Sequence, residues 1–124
     1  MKILIIDDNI ELSMLTKKAL IKYDHDIVIC NDTSDAIDFV QIHDPDLILI
    51  DIMMPGLSGP DIVKSLKMDP KLKDTPVLFL SGLMTGKEKD LEKEGLNVDG
   101  VIYPILGKPY RSEELVGFIN RYAV

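Results

Sequence analysis

Polar residues that could do chemistry stand directly after several apolar runs of the sequence. Asp7 and Asp8 follow the first run, Asp51 closes another, and Ser81 and Lys108 follow two later ones. A charged side chain is costly to bury unless partners compensate it. Acidic groups that recur where buried strands should end are therefore candidates for a common site.

Carboxylates gathered at one place need a proton or a cation to offset their repulsion, and a hard divalent cation suits this best. Two of them about 4 Å apart repel by about 4 kcal/mol at an effective dielectric near 20, and Lys108 brings only one positive charge. Mg²⁺ binds a few carboxylate oxygens together with waters, and often a phosphate as well. We therefore predict that Asp7 and Asp8 hold Mg²⁺, or Mn²⁺ in its place, beside Asp51.

Asp51 is the predicted nucleophile of this site. A carboxylate beside a divalent cation can attack a phosphoryl group and form an aspartyl phosphate. Asp51 closes a central apolar run and is followed directly by the turn "MMPG". The hydroxyl of Ser81 and the ammonium of Lys108 would contact the phosphoryl oxygens.

The elements that position these residues follow from apolar runs that alternate with amphipathic stretches. This pattern predicts repeated βα units, with a doubly wound five-stranded parallel sheet and helices on both faces. Ligands of such sheets bind at the carboxyl ends of the strands. The strands are predicted at Lys2–Ile6, Asp26–Cys30, Asp46–Ile50, Pro76–Leu80 and about Val101–Leu106. The helices are predicted at about Ile10–Tyr23, Ser34–His43, Pro60–Met68, Lys87–Glu94 and Ser112–Tyr122.

Composition limits the classes of partner and the compartment. The net charge of −7 should repel nucleic acid and anionic membranes, so we expect neither as a direct partner. Cys30 is the one cysteine and lies in an apolar run, which excludes an internal disulfide and favours a buried residue in a reducing cytoplasm. Residues 1–124 are expected to form one domain in the cytoplasm.

Four segments in order resemble the receiver domain of two-component response regulators, the CheY-like family. They are "IIDDN", "DIMMPGLSG", "LFLSG" and "KPYRSEEL". Each is a weak signal alone, but four of them at successive strand ends are a strong one. The resemblance covers essentially the whole chain and implies a phosphoprotein of a phosphorelay rather than an enzyme, although it would assist its own phosphorylation and dephosphorylation.

The resemblance also implies roles for individual residues. Asp51 would be the phosphoacceptor and a metal ligand, with Asp7, Asp8 and the backbone carbonyl of Met53 completing the ligands from the protein. Phosphate would be bound by Ser81, Gly82 and Lys108. A histidine kinase or phosphotransfer domain would supply the phosphoryl group, and the response would be a changed surface for a downstream effector protein or domain.

The stretch between Gly95 and Lys108 is longer than the family usually shows. The family places an aromatic residue three positions before the lysine, where this sequence has Ile105, while Tyr103 lies five before it. Pro104 favours an edge strand or a bulge. Ser81 and Tyr103 are the candidate switch residues, and simple packing is the competing interpretation for Tyr103.

Other functions compete with this interpretation. A receiver-like interaction module that is never phosphorylated would not need the acidic residues and the lysine. A phosphatase of the haloacid dehalogenase type uses the motif D-x-D, but Met53 stands at its second aspartate. A flavodoxin-like cofactor binder should have a phosphate loop rich in Ser, Thr and Gly, whereas "DDNIEL" is acidic.

Overall fold

A parallel sheet of five strands is the centre of the protein in this computed structural model, which describes residues 1–81, 95–107 and 110–122. The strands in chain order are β1 (Lys2–Ile6), β2 (Asp26–Cys30), β3 (Leu47–Asp51), β4 (Val77–Ser81), β5 (Leu96–Val98), β6 (Val101–Tyr103) and β7 (Ile105–Gly107). The main sheet has the order β2-β1-β3-β4-β7, with all pairs parallel. The predicted α/β fold is confirmed.

Helices cover both faces of this sheet. They are α1 (Ile10–Ile21), α2 (Ala36–His43), α3 (Gly59–Lys67) and α4 (Ser112–Tyr122), with a 3-10 turn over Thr33–Asp35 before α2. One apolar core contains Val40 of α2 and Ile62 of α3, and the other contains Leu20 of α1 and Leu115 of α4. The strands between these cores are buried on both sides, which explains their continuous apolar runs.

Local sequence signals set the boundaries of the helices. The side chain of Asn9 accepts a hydrogen bond from the backbone N–H of Leu12 at 3.0 Å and so caps α1. Ser58 and Asp61 form a reciprocal capping box at the start of α3. Asp44 ends α2 in the left-handed conformation with φ of 44°. These caps fix where the helices begin and end and so where the connecting loops start.

The prediction of one strand over Val101–Leu106 is wrong. Pro104 divides this stretch, so that Val101–Tyr103 is β6 and Ile105–Gly107 is β7. β6 pairs with β5 in an antiparallel hairpin instead of joining the main sheet. Because proline has no backbone N–H to donate, it interrupts the pairing of a strand and is tolerated beside an edge strand. β7, which follows Pro104, is such an edge strand of the main sheet.

The turn of this hairpin has a clear local cause. Asp99 and Gly100 connect the two short strands, and both have positive φ, at 51° and 89°. A two-residue turn of this kind matches the twist of paired strands and favours Asp-Gly. The side chain of Asn97 also accepts a hydrogen bond from the N–H of Gly100 at 2.9 Å.

The remaining predicted boundaries differ by a few residues. β3 and β4 each begin and end one residue later than predicted, so Asp51 and Ser81 are the last residues of their strands. Residues 34 and 35, predicted as helix, belong to the 3-10 turn. The predicted helix Lys87–Glu94 lies outside the described residues.

Within the described ranges, no helix has the length and hydropathy that a membrane crossing requires.

Candidate functional site

The acidic residues meet at the carboxyl end of the parallel sheet. β1 pairs with β3 in a register that sets Ile6 opposite Ile50, so the residues that follow these two lie side by side. Asp7 and Asp8 come directly after β1, and Asp51 is the last residue of β3. One carboxylate oxygen from each of these aspartates lies within 4.8 Å of the others.

Burial strengthens the repulsion within this acidic cluster. Asp7 is 2% exposed and Asp51 is 8% exposed, whereas Asp8 is open to solvent. Two carboxylates about 4.8 Å apart repel by about 3.5 kcal/mol at an effective dielectric near 20. A cation that binds between them would offset this energy.

The donor atoms of the cluster suit a hard divalent cation. All three are carboxylate oxygens, which Mg²⁺ and Mn²⁺ prefer. The thiol of Cys30 is buried in the core and donates to the backbone carbonyl of Asp32 at 3.1 Å. Burial raises the pKa of this thiol, which disfavours the thiolate form that binds metals.

The loop after β1 holds Asp7 through the backbone. The N–H of Asp7 donates to the carbonyl of Cys30 at 3.1 Å, and the N–H of Asn9 donates to Oδ1 of Asp7 at 2.9 Å. Because the side chain of Asn9 also caps α1, the same residue fixes the carboxylate and starts the helix. Asn9 was not among the predicted site residues, although an asparagine just before an amphipathic run is a helix-start signal.

The start of α3 packs directly against the backbone of Asp51. The N–H of Gly59 donates to the carbonyl of Ile52 at 2.9 Å, and the N–H of Ile52 donates to the carbonyl of Leu80 at 3.0 Å. A Cβ atom on Gly59 would lie 2.4 Å from the carbonyl oxygen of Asp51. Only glycine allows the helix to approach the strand end this closely.

We expect Gly59→Ala to destabilise the protein by about 2 kcal/mol, because the added methyl group forces the backbone near Asp51 to move. Urea unfolding of the metal-free protein measures this effect. Gly117→Ala is the matched control, since Gly117 is exposed in α4 and its Cβ would meet nothing within 4 Å. That variant should gain about 0.5–1 kcal/mol from helix propensity. Equal effects at both positions would contradict this role of Gly59.

Ser81 lies at the same edge of the sheet as the acidic cluster. Asp51 pairs with Leu80, so Ser81 is one residue beyond that level on the neighbouring strand. Ser81 is half-buried and pairs with Gly107, the last residue of β7. Gly82 and Lys108, the other predicted phosphate-binding residues, lie outside the described residues. Their roles and that of Ser81 stay predictions.

Tyr103 lies away from the end of the sheet that carries the acidic cluster. It lies two residues before β7 begins, whereas Ser81 pairs with the end of β7. Its buried ring meets the ring of Phe79 edge to face at 5.7 Å, and Nζ of Lys67 lies 5.5 Å from its centroid. Its hydroxyl has no hydrogen-bond partner among the described residues. Packing accounts for this position, and the switch role stays a prediction.

Met53 lies in the loop after Asp51 with its side chain 65% exposed. This loop, residues 52–58, connects β3 to α3 and so passes beside the acidic cluster. Because the side chain of Met53 is exposed and apolar, its backbone carbonyl is the group of this residue that could bind a cation. The carbonyl of Met53 as a metal ligand stays a prediction.

Comparison with known proteins agrees with this architecture. Residues 3–120 match the response regulator receiver domain family. A probable transcriptional regulator, ycf29 of Pyropia yezoensis, is 32% identical over 119 residues. That match covers 96% of this chain and 51% of the relative, so the chain spans about half the length of the relative.

Solved structures of similar proteins share the fold over nearly the whole chain. The chemotaxis protein CheY4 of Vibrio cholerae superposes with a TM-score of 0.81 at 26% identity, over 98% of this chain and 97% of that one. A response regulator from Desulfuromonas acetoxidans gives a TM-score of 0.80 at 28% identity, over 97% and 94%. Because the family model matches residues 3–120 and the solved structures share the fold, the chain belongs to the response regulator receiver domain family.

Proposed function

We propose that Asp51 of this receiver domain accepts a phosphoryl group in a reaction that depends on Mg²⁺. The observation that supports this most is the acidic cluster, in which carboxylate oxygens of Asp7, Asp8 and Asp51 lie within 4.8 Å of one another. Two of these carboxylates are buried, and buried groups of like charge in one place are typical of functional sites. Receiver domains of this family are signalling phosphoacceptors.

Asp51 acts as the nucleophile in this proposal. One of its carboxylate oxygens forms a bond to phosphorus, and the bond from phosphorus to the donor breaks with its electron pair on the donor group. The product is an acyl phosphate on Asp51. Because Asp51 ends a strand that is buried on both sides, its position is fixed before the donor arrives.

The neighbouring residues hold the charges that develop. Asp7 and Asp8 would bind Mg²⁺ or Mn²⁺ together with Asp51, and the carbonyl of Met53 would complete the protein ligands. The bound ion would supply positive charge to the transferring oxygens. Ser81, Gly82 and Lys108 would bind the remaining phosphoryl oxygens.

The proposed partners follow from the family and from the charge of the chain. Receiver domains interact with histidine kinases and effector domains. We propose a histidine kinase or phosphotransfer domain as the donor and an effector protein or domain as the target of the changed surface. With a net charge of −7, the chain itself is not expected to bind nucleic acid or membranes.

The extent of the domain and its compartment are also proposals. Residues 1–124 are assigned to one receiver domain, because the family match covers residues 3–120. The free, buried thiol of Cys30 agrees with a cytoplasmic protein. The domain would also assist the formation and hydrolysis of its own acyl phosphate, since the proposed metal and phosphate ligands all belong to it.

Incubation with acetyl phosphate tests the proposed function. With MgCl₂ present, the intact mass of the protein is expected to rise by the mass of one phosphoryl group, and EDTA should prevent this rise. Acetyl phosphate replaces the partner kinase, so the result depends on this chain alone. An unchanged mass in Mg²⁺ would contradict the proposal and favour a receiver-like module that is never phosphorylated.

A further inference from the structure

The segment after β2 contacts the two loops that flank the acidic cluster. One is the loop after β1, which carries Asp7 and Asp8, and the other is the loop of residues 52–58, which begins directly after Asp51. Nδ2 of Asn31 donates to the backbone carbonyl of Asp7 at 2.6 Å. Oγ1 of Thr33 donates to the backbone carbonyl of Pro55 at 3.2 Å. Residues 31–33 therefore bridge the two loops.

Asn31 also reaches the start of α1. Its Nδ2 lies 3.3 Å from Oγ of Ser13, and Oγ of Ser13 donates to the backbone carbonyl of Asn9 at 2.9 Å. Ser13 is 1% exposed, so the middle of this chain of hydrogen bonds is buried. Asn9 in turn binds the carboxylate of Asp7 through its N–H. One side chain thus supports the loop after β1 at two points.

Internal hydrogen bonds give the bridging segment a fixed shape. The carboxylate of Asp32 accepts from the N–H of Ser34 at 3.0 Å and from its hydroxyl at 2.7 Å. These bonds lower the pKa of Asp32. The backbone carbonyl of Asp32 accepts from the N–H of Asp35 at 3.1 Å and from the thiol of Cys30. Because these bonds hold the segment rigid, its contacts restrict the positions of the two loops that it touches.

We propose that Asn31 and Thr33 are positioning residues that hold the loop after β1, which carries Asp7 and Asp8, at a fixed distance from the loop that begins directly after Asp51 and carries the proposed ligand Met53. Both side chains bond to backbone carbonyls rather than to the carboxylates, so they act on geometry and add no charge. Mg²⁺ demands near-ideal octahedral geometry, which makes its binding sensitive to small displacements of its ligands. This inference rests on the proposed function.

Replacement of one hydroxyl tests the role of Thr33. Thr33→Val removes the donor to Pro55 and keeps the shape of the side chain. We expect the dissociation constant for Mg²⁺, measured by calorimetric titration with MgCl₂ alone, to rise about tenfold. Thr16→Val is the control, because Oγ1 of Thr16 bonds to the hydroxyl of Tyr110 at 2.9 Å, on the face of the sheet that α1 and α4 cover. That variant should bind Mg²⁺ as the wild type does.

Asn31→Ala tests the other half of the bridge. It should also weaken Mg²⁺ binding about tenfold, and urea unfolding in EDTA separates this effect from a general loss of stability. Normal affinity in both Asn31→Ala and Thr33→Val, or an equal loss in Thr16→Val, would overturn the positioning role while the proposed function stands. A wild-type protein that binds no Mg²⁺ would overturn both.

Discussion

Asp51→Asn protein is expected to gain no phosphoryl group from acetyl phosphate and Mg²⁺, while wild-type protein gains one. The amide keeps the shape of the side chain, but its oxygen is not a competent nucleophile and cannot form the acyl phosphate. The loss should be complete, because the other aspartates near it, Asp7 and Asp8, are proposed to bind the metal. Intact mass after a fixed incubation measures the difference.

Folding of the Asp51→Asn variant is the necessary control for this result. The substitution removes one charge from a cluster of mutually repelling carboxylates, so the metal-free variant should be at least as stable as the wild type. Circular dichroism and thermal unfolding in EDTA check this expectation. A folded variant that still gains a phosphoryl group would show that another residue accepts it.

Asp8→Asn should have opposite effects on stability and on metal binding. In EDTA the variant should be more stable than the wild type by about 1 kcal/mol, or about 4 °C in Tm, because a repelling charge is removed. The figure is modest because Asp8 is exposed and solvent screens its charge. Millimolar Mg²⁺ should raise the Tm of the wild type and barely change that of the variant.

A distant aspartate provides the matched control for Asp8→Asn. Asp74 is exposed in the loop before β4, whereas the acidic cluster lies at the opposite ends of the strands. Asp74→Asn removes one negative charge, as Asp8→Asn does, but it should leave both the metal-free Tm and the Mg²⁺ response near those of the wild type. If Asp8→Asn were less stable than the wild type in EDTA, the repulsion within the cluster would not be the dominant effect.

The acidic edge could be predicted because it depends on simple rules. Runs such as Ile3–Ile6 and Leu47–Ile50 are continuous rather than alternating, which indicates strands buried on both faces. Parallel strands end at the same edge, so residues that follow β1 and β3 are near one another when these two strands are neighbours. The structure adds the strand order that sets β1 beside β3 and so brings Asp7, Asp8 and Asp51 together.

The structure has a hairpin where one strand is predicted, because local signals override the apolar pattern of this stretch. The apolar character of residues 101–106 suggested one strand, although Pro104 cannot donate to a sheet. Asp99-Gly100 between Val98 and Val101 is a strong hairpin signal, and the structure has a turn there. With the hairpin formed, Tyr103 packs on Phe79 and only β7 remains for the main sheet.

The contacts of Asn31 and Thr33 could not be predicted from the sequence for a different reason. Their partners, Asp7 and Pro55, are 24 and 22 residues away along the chain. A polar side chain in a loop after a strand can form hydrogen bonds with many different backbone groups, and no sequence spacing indicates which of them it contacts. Only the folded arrangement of three neighbouring loops shows which carbonyl groups these side chains reach.

Chemical mapping of the phosphorylated residue tests the central claim most directly. Borohydride reduces an aspartyl phosphate to homoserine, so treatment of the protein after incubation with acetyl phosphate and Mg²⁺ marks the acceptor for peptide mass spectrometry. We predict homoserine at position 51 alone, and none when EDTA replaces Mg²⁺. Homoserine at position 7 or 8, or unaltered Asp51 in protein that carries a phosphoryl group, would contradict the account.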